Sequence, residues 1–196
     1  VALCAADLAG ELLKADAGLP EAQRLRHLVV THYADAIGPA AEVPPAWQAW
    51  LGARHERPAL AGGSVATWAE ALSSTAPLPE HNRGPDDLAV LPYTSGTTGL
   101  PKGCMHPHRT LMHNAVAGAL WGNSTAEAVS LLVVPLFHIT GMVSGMHTAI
   151  YGGATIVLMP RWDRELAGRL ISRWRVTHWT NIPTMVIDLL ASPSFE

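Results

Sequence analysis

Residues 93–103, Tyr-Thr-Ser-Gly-Thr-Thr-Gly-Leu-Pro-Lys-Gly, gather Ser/Thr hydroxyls, three glycines and one lysine into a short stretch that follows the apolar run Leu88-Ala89-Val90-Leu91. Glycine lets backbone N–H groups approach an anion closely, the hydroxyls add neutral donors, and a lysine ammonium is a point charge suited to phosphate. The chemistry implied is a phosphate cradle. Two common nucleotide loops fail on spacing. A Walker A loop needs Gly-Lys followed by Ser or Thr, whereas Pro101 precedes Lys102 and Gly103 follows it. Gly96, Gly99 and Gly103 do not make the G-x-G-x-x-G of a dinucleotide fold.

A second stretch, Pro135-Leu136-Phe137-His138-Ile139-Thr140-Gly141, stands where a predicted strand ends, and open α/β sheets place ligands at such ends. A lone histidine beside an apolar run is ordinarily a core residue. The third stretch, Val176-Thr177-His178-Trp179-Thr180-Asn181-Ile182-Pro183-Thr184, reads as a strand running into a helix, with Pro183 in its first turn.

Together these stretches resemble the acyl-adenylate-forming superfamily: acyl-CoA synthetases, luciferases and peptide-synthetase adenylation domains. The first is similar to the family's ATP-phosphate loop, the second to the Pro-Leu-Phe-His-x-x-Gly motif of acyl-CoA synthetases, the third to a segment bordering the acyl pocket. By that resemblance Thr94, Ser95, Gly96, Thr97, Thr98, Gly99 and Lys102 would hold the β- and γ-phosphates, with Lys102 a clamp rather than a base. Phe137, His138, Gly141, Asn181 and Thr184 would border the adenylate and the acyl pocket, and Lys102 and His138 would be the catalytic pair. Amino-acid-activating relatives carry Asp after the Phe to pair the substrate ammonium. Position 138 is His, and an unpaired ammonium in an apolar pocket is costly, so an uncharged acyl chain is expected.

The resemblance implies a fatty-acyl-CoA synthetase with ATP, Mg²⁺ and CoA, the ion carried on the ATP phosphates. Ligases for aryl or medium-chain acids, carrier-protein loading enzymes and a non-catalytic nucleotide-binding module are the alternatives. Complete members continue into a magnesium and adenine segment, a ribose-binding Asp and a C-terminal domain with the adenylation lysine. The chain therefore reads as an internal fragment of the N-terminal domain, inactive alone.

The elements that must position these residues follow from hydrophobic patterning. From Asp87 onward, β-branched runs alternate with helix-length segments, which predicts parallel βαβ units. Strands are expected at 88–91, 129–134, 154–159 and 176–180. Helices are expected from His108 to Leu120, from Met142 to Tyr151 with Gly152-Gly153 ending it, after the cap Asp163, and from Pro183 to Leu190. The fold class is α/β, a mostly parallel sheet with flanking helices, and the resemblance makes it part of the large N-terminal domain of such an enzyme. Residues 1–86 are taken as its first part and 87–196 as the phosphate-loop subdomain. In the first part His27–Thr31 reads as a strand after an Ala- and Leu-rich helix, Pro44-Pro45 opens a short helix, Thr67 and Glu70 fit a capping box, and 73–85 is a connector.

Composition narrows the classes. The chain has 196 residues, 48% of them hydrophobic, so a sizeable core is within reach. A formal charge of −3 with no Lys/Arg run argues against a nucleic-acid surface. Cys4 and Cys104 form no framework and suit a reducing cytoplasm; Cys104 is expected to be a small buried hydrophobe. His106, His108 and His113 are the densest histidine group but lack the spacing and acidic support of a zinc helix, so no protein metal site is expected. Between Glu127 and Arg161 no Asp, Glu, Lys or Arg occurs, yet prolines and glycines cut that stretch too short for a membrane-spanning helix, leaving a buried core.

Overall fold

The computed structural model describes residues 1–38, 41–77, 79–95 and 99–193. The chain divides into two units, Val1–Glu80 and His81–Glu196.

The first unit is built on a parallel sheet, β1 (Ala2–Ala5), β2 (His27–Thr31) and β3 (Ser64–Thr67), in that spatial order. Helix α1 (Ala9–Ala17) joins β1 to β2; α2 (Tyr33–Ala36) and α3 (Pro45–Leu51) lie between β2 and β3; α4 (Trp68–Leu72) follows. Leu28 and Val30 alternate along β2 at 0% and 1% exposure and pack with Ala9 and Leu60, because alternate residues of a strand share a face. The buried Asp16 carboxylate accepts from the Leu25 N–H at 2.7 Å, which ties the end of α1 to the approach of β2. The capping box forms as patterned: Glu70 N–H donates to Thr67 Oγ1 at 3.2 Å, and Thr67 N–H to Glu70 Oε2 at 2.7 Å. Arg57 adds an ion pair to the other Glu70 oxygen at 2.7 Å.

The second unit opens with an antiparallel ribbon. β4 (Leu88–Val90) and β5 (Tyr93–Thr94) run out, and β6 (Lys102–Gly103) and β7 (His106–Pro107) run back, pairing β5 with β6 and β4 with β7. This differs from the parallel units that the patterning suggests from Asp87 onward. The return stretch comes too soon in the chain for a crossover helix, so only the antiparallel partner is available to β4. Helix α5 (His108–Gly122) packs on this ribbon.

A second parallel sheet follows, of β8 (Val129–Leu132), β9 (Thr155–Leu158) and β10 (His178–Thr180), in the order β10-β8-β9. Ser130 pairs with His178 and Leu132 with Thr180; on the other side Leu132 pairs with Leu158. The run Leu131 to Val134 is buried throughout, as its uniform apolarity implies. The connection from β8 to β9 and the one from β9 back to β10 traverse the sheet in opposite directions. Right-handed crossovers then send them to opposite faces.

The β8–β9 connection departs from the expected α-helix over Met142–Tyr151. It is a π-helix, Thr140–His147, running into α6 (Thr148–Gly152). Gly141 and Gly145 press this helix onto the sheet: a Cβ on Gly141 would lie 2.3 Å from the Pro135 carbonyl oxygen, and one on Gly145 2.3 Å from Leu132 Cδ1. The wider turn leaves the Val143 carbonyl to Thr148, whose N–H and Oγ1 both donate to it, the hydroxyl at 3.0 Å. Gly153, at φ +74°, ends α6 in the left-handed conformation that its pattern predicts.

On the opposite face Asp163 caps α7 (Arg164–Trp174), its Oδ1 accepting from Leu166 N–H at 2.8 Å, and α7 packs against α8 (Pro183–Leu190). Trp162 stacks on Trp179 of β10 with centroids 5.6 Å apart, and its indole N–H donates to Asp188 of α8 at 2.7 Å. Among the described residues no helix is long and apolar enough to cross a membrane.

Candidate functional site

Of the phosphate-loop residues, Thr94, Ser95, Gly99 and Lys102 are described, at the end of the ribbon. Thr94 and Lys102 stand opposite each other, and Tyr93 opposite Gly103, so backbone pairing closes the loop at its neck. Cys104 N–H continues the ladder to the Pro92 carbonyl at 2.8 Å. Thr94, Ser95, Gly99 and Lys102 are all exposed. Gly96, Thr97 and Thr98 lie outside the described residues. Residues 93–103 contain no Asp or Glu. A lysine, several hydroxyls and three glycines in one stretch that itself carries no carboxylate are a donor set that fits the phosphates of a nucleotide.

The second group gathers at the carboxyl ends of β8 and β10. The chain leaving β8 carries Phe137 and His138 toward the α5 and π-helix layer, while the chain leaving β10 carries Asn181 and Thr184 toward the α7 and α8 layer. Connections that diverge to opposite faces from adjacent parallel strands open a crevice, the switch point at which doubly wound sheets bind ligands. Phe137 is 84% exposed there, a large apolar surface left open beside a polar group.

Local bonds set the histidine. His138 N–H donates to the Pro135 carbonyl at 3.0 Å in a tight turn, and Thr140 N–H donates to His138 Nδ1 at 3.1 Å. With Nδ1 accepting, the neutral ring carries its proton on Nε2, which is left to donate outward. Gly141 permits this turn because any side chain would meet the carbonyls of Val134 and Pro135. Asn181 is exposed and donates from Nδ2 to the Trp179 carbonyl at 3.0 Å; Thr184, in the first turn of α8, is exposed as well. Thus Thr94 and Lys102 meet at the neck of the hairpin, and His138, Asn181 and Thr184 share one sheet edge. Among the described residues no hydrogen bond joins the two groups.

Below that edge, between the sheet and the π-helix layer, lies a cavity of about 220 Å³ that the residue pattern does not announce. Its wall includes Ser130, Ser144, Thr148, His178 and Thr180. Both ring nitrogens of His178 are engaged, Nε2 with the Gly122 carbonyl at 2.7 Å and Nδ1 with Thr177 Oγ1 at 2.8 Å. The one available signal is Ser130 itself, a polar residue inside the apolar run Val129–Val134.

Comparison with known proteins identifies the family. A family model described as AMP-binding enzyme matches residues 8–196. The chain is 40% identical over 124 residues to 4-coumarate–CoA ligase 2 of Oryza sativa subsp. japonica, an alignment covering 61% of this chain and 22% of that protein. It is 35% identical over 120 residues to a long-chain-fatty-acid–CoA ligase of Bacillus subtilis, covering 60% of this chain and 20% of that one. The match thus spans about a fifth of the length of these curated relatives. Among solved structures, O-succinylbenzoate coenzyme A synthetase from Bacillus subtilis, in complex with ATP and magnesium ion, superposes with a TM-score of 0.61 at 26% identity, over 92% of this chain and 33% of that chain. The α/β architecture with parallel sheets and flanking helices is the one these enzymes share.

Proposed function

The chain belongs to the AMP-binding enzyme family, and from that premise we propose that it is a segment of an ATP-dependent acid–CoA ligase. In this reading residues 1–86 are the first part of the AMP-binding domain, residues 87–196 carry the phosphate loop and the acid site, and the enzyme works in the cytosol. The observation that carries the reading is the pairing of Thr94 with Lys102 at the neck of a carboxylate-free hairpin, in the same unit as a switch-point crevice bordered by His138.

A carboxylate oxygen of the acid attacks the α-phosphorus of ATP, a P–O bond to the β-phosphate breaks, and pyrophosphate leaves. The thiol sulfur of CoA then attacks the acyl carbon, the bond to the AMP oxygen breaks, and AMP leaves. Lys102 and the hydroxyls of Thr94, Ser95, Thr97 and Thr98 hold the β- and γ-phosphates, with Gly96 and Gly99 letting the backbone close on them, and steady the leaving pyrophosphate by position and charge. Magnesium bound with ATP would neutralise phosphate charge, and a loop hydroxyl would be the protein group available to hold it. His138 directs Nε2–H at an oxygen of the acid or adenylate, and Phe137, Gly141, Asn181 and Thr184 shape the pocket.

The acid carries no ammonium, since position 138 supplies no counter-charge. Fatty acids are the first class proposed and aryl acids the second; relatives named for each match this chain. The test is carboxylate-dependent exchange of labelled pyrophosphate into ATP by the complete polypeptide containing this segment, offered fatty, aryl and amino acids. Exchange with uncharged acids that Lys102→Ala abolishes is expected. Binding of Mg-ATP by a folded protein with no exchange for any acid would leave only a nucleotide-binding module.

A further inference from the structure

A π-helix is uncommon, and the one over Thr140–His147 joins the crevice to α6, so whatever holds its register bears on the site. In an α-helix a threonine hydroxyl donates to the carbonyl three or four residues back. For Thr148 the fourth is the Ser144 carbonyl. The hydroxyl instead reaches one residue further and donates to the Val143 carbonyl at 3.0 Å, the same oxygen that takes the Thr148 N–H. The Ser144 carbonyl accepts from Thr180 Oγ1 of β10 at 3.4 Å. One threonine on the helix and one on the neighbouring strand thus engage its carbonyls in a pattern that the α register would break.

Thr148 and Val143 are both buried, at 9% and 6% exposure, so water competes little for this bond. Helix α5 leaves room for the hydroxyl: a Cβ on Gly118 would lie 2.7 Å from Thr148 Oγ1. From Val143 the path to the crevice is short. Met142, the preceding residue, donates its N–H to the His138 carbonyl at 3.0 Å, and His138 N–H donates to the Pro135 carbonyl at 3.0 Å. With Thr140 N–H on Nδ1 at 3.1 Å, the first turn of the helix fixes both the backbone and the ring of His138. The turn that follows it is the one Thr148 holds.

Resting on the ligase reading, we propose that Thr148 is a positioning residue for His138. Its hydroxyl keeps Val143 in the π register and thereby keeps His138 where its Nε2–H meets the acid. Thr148 acts through the backbone and touches no substrate. Without the hydroxyl the helix is free to relax toward α geometry, and a misplacement of about 1 Å at reacting groups lowers rates by up to roughly 100-fold.

The experiment is pyrophosphate exchange by the complete polypeptide with hexadecanoate and 3-phenylpropanoate, for the parent, Thr148→Ala, Thr148→Ser and Gly118→Ala, each also in a His138→Ala background. Thermal unfolding of every variant checks the fold. Thr148→Ala should lower kcat/KM for the acid roughly 10-fold to 100-fold with KM for ATP unchanged. Thr148→Ser, which keeps the hydroxyl, should recover most of that loss. Gly118→Ala, whose methyl displaces the hydroxyl and leaves Thr148 in the sequence, should reproduce it and carries the comparison if Thr148→Ala does not fold. In the His138→Ala background the Thr148 and Gly118 substitutions should have no further effect, because residues that act through one group are not additive. A residue that only supported the fold would lose as much in either background. Exchange at the parent rate without the hydroxyl, no recovery by serine, or an equal loss in both backgrounds overturns the inference while the ligase reading stands. Absence of exchange with every acid overturns both.

Discussion

Thr94 faces Lys102 across the neck of the hairpin, and its hydroxyl reaches the Lys102 carbonyl at 3.5 Å while the Lys102 side chain extends into solvent. The neck is therefore held by backbone, and among the described residues no hydrogen bond or ion pair engages the ammonium. Lys102→Ala should lower pyrophosphate exchange by roughly 100-fold to 1,000-fold while changing stability by no more than about 0.5 kcal/mol. Paired exchange assays and thermal melts check this; a melt that collapses with the activity would make Lys102 a structural residue.

Gly141 is expected to be intolerant of even one methyl. Its Cβ would sit 2.3 Å and 2.4 Å from the carbonyl oxygens of Pro135 and Val134, which belong to backbone and cannot swing aside. Gly141→Ala should cost about 3 kcal/mol, measured by urea unfolding. Gly122, where a Cβ meets nothing within 4 Å, supplies the control: Gly122→Ala at the end of α5 should be neutral or stabilise slightly.

Asp188 accepts from the Trp162 indole at 2.7 Å and from Arg164 at 3.3 Å, joining α8 to the start of α7. Asp188→Ala strands the half-buried indole N–H and should cost about 1–3 kcal/mol; Asp188→Asn, which keeps an acceptor, should lose less than half of that. Because α8 also carries Thr184, the alanine variant should raise KM for the acid more than KM for ATP. Steady-state kinetics with each substrate varied in turn separate the two.

Acid should weaken the first unit. The Arg57 hydrogen bond, reinforced by Thr67, holds the Glu70 carboxyl below its ordinary 4.5, and the Arg54 hydrogen bond holds Asp35 below 3.8. A carboxyl depressed in the folded state binds protons more readily once unfolded, so its contribution is complete above the unfolded value and is lost as pH falls through the folded one. The melting temperature should decline below about pH 4.5, and Glu70→Gln should flatten that decline. Melts between about pH 3 and pH 7, recorded at low and high salt, test the sign, since exposed pairs are screened.

Arg175 ends α7 at φ +51°, in the left-handed region that a Cβ disfavours. Arg175→Gly should raise stability by about 0.5–1 kcal/mol, read as an upward shift of the urea midpoint with an unchanged m-value.

Much of this architecture is legible in the order of residue types alone. The strands β8 and β9 announce themselves as apolar runs, α7 as a face of Leu166, Leu170 and Ile171 behind the Asp163 cap, and α8 by Pro183. Short edge strands give weaker signals. β1, only Ala2–Ala5, and β3, only Ser64–Thr67, carry small residues whose strand character comes from pairing with β2 rather than from their own propensity. The hairpin form of the phosphate loop is hidden because β5 and β6 have two residues each, too few for any period. The π-helix is hidden for another reason: apolar and small residues surround its whole circumference, so nothing in the pattern distinguishes its repeat from that of an α-helix. At the crevice, residue types name the candidates, but only the strand order β10-β8-β9 puts His138 and Asn181 on one edge.

The π-helix between His138 and α6 makes the site sensitive to the length of the chain as well as to its letters. A π-helix takes up about one residue per turn beyond what an α-helix would hold. Relaxing Thr140–His147 to α geometry with its length unchanged would turn everything on its upstream side by about 100° around the helix axis for each surplus residue. Gly141 would leave its seat on Pro135 and His138 would turn with it, although no residue there had been substituted. Deleting one residue together with that relaxation would instead leave the two ends nearly where they stand. The orientation of His138 is therefore tied to the match between residue count and helix type, and a change of length is harmless only where the turns change with it.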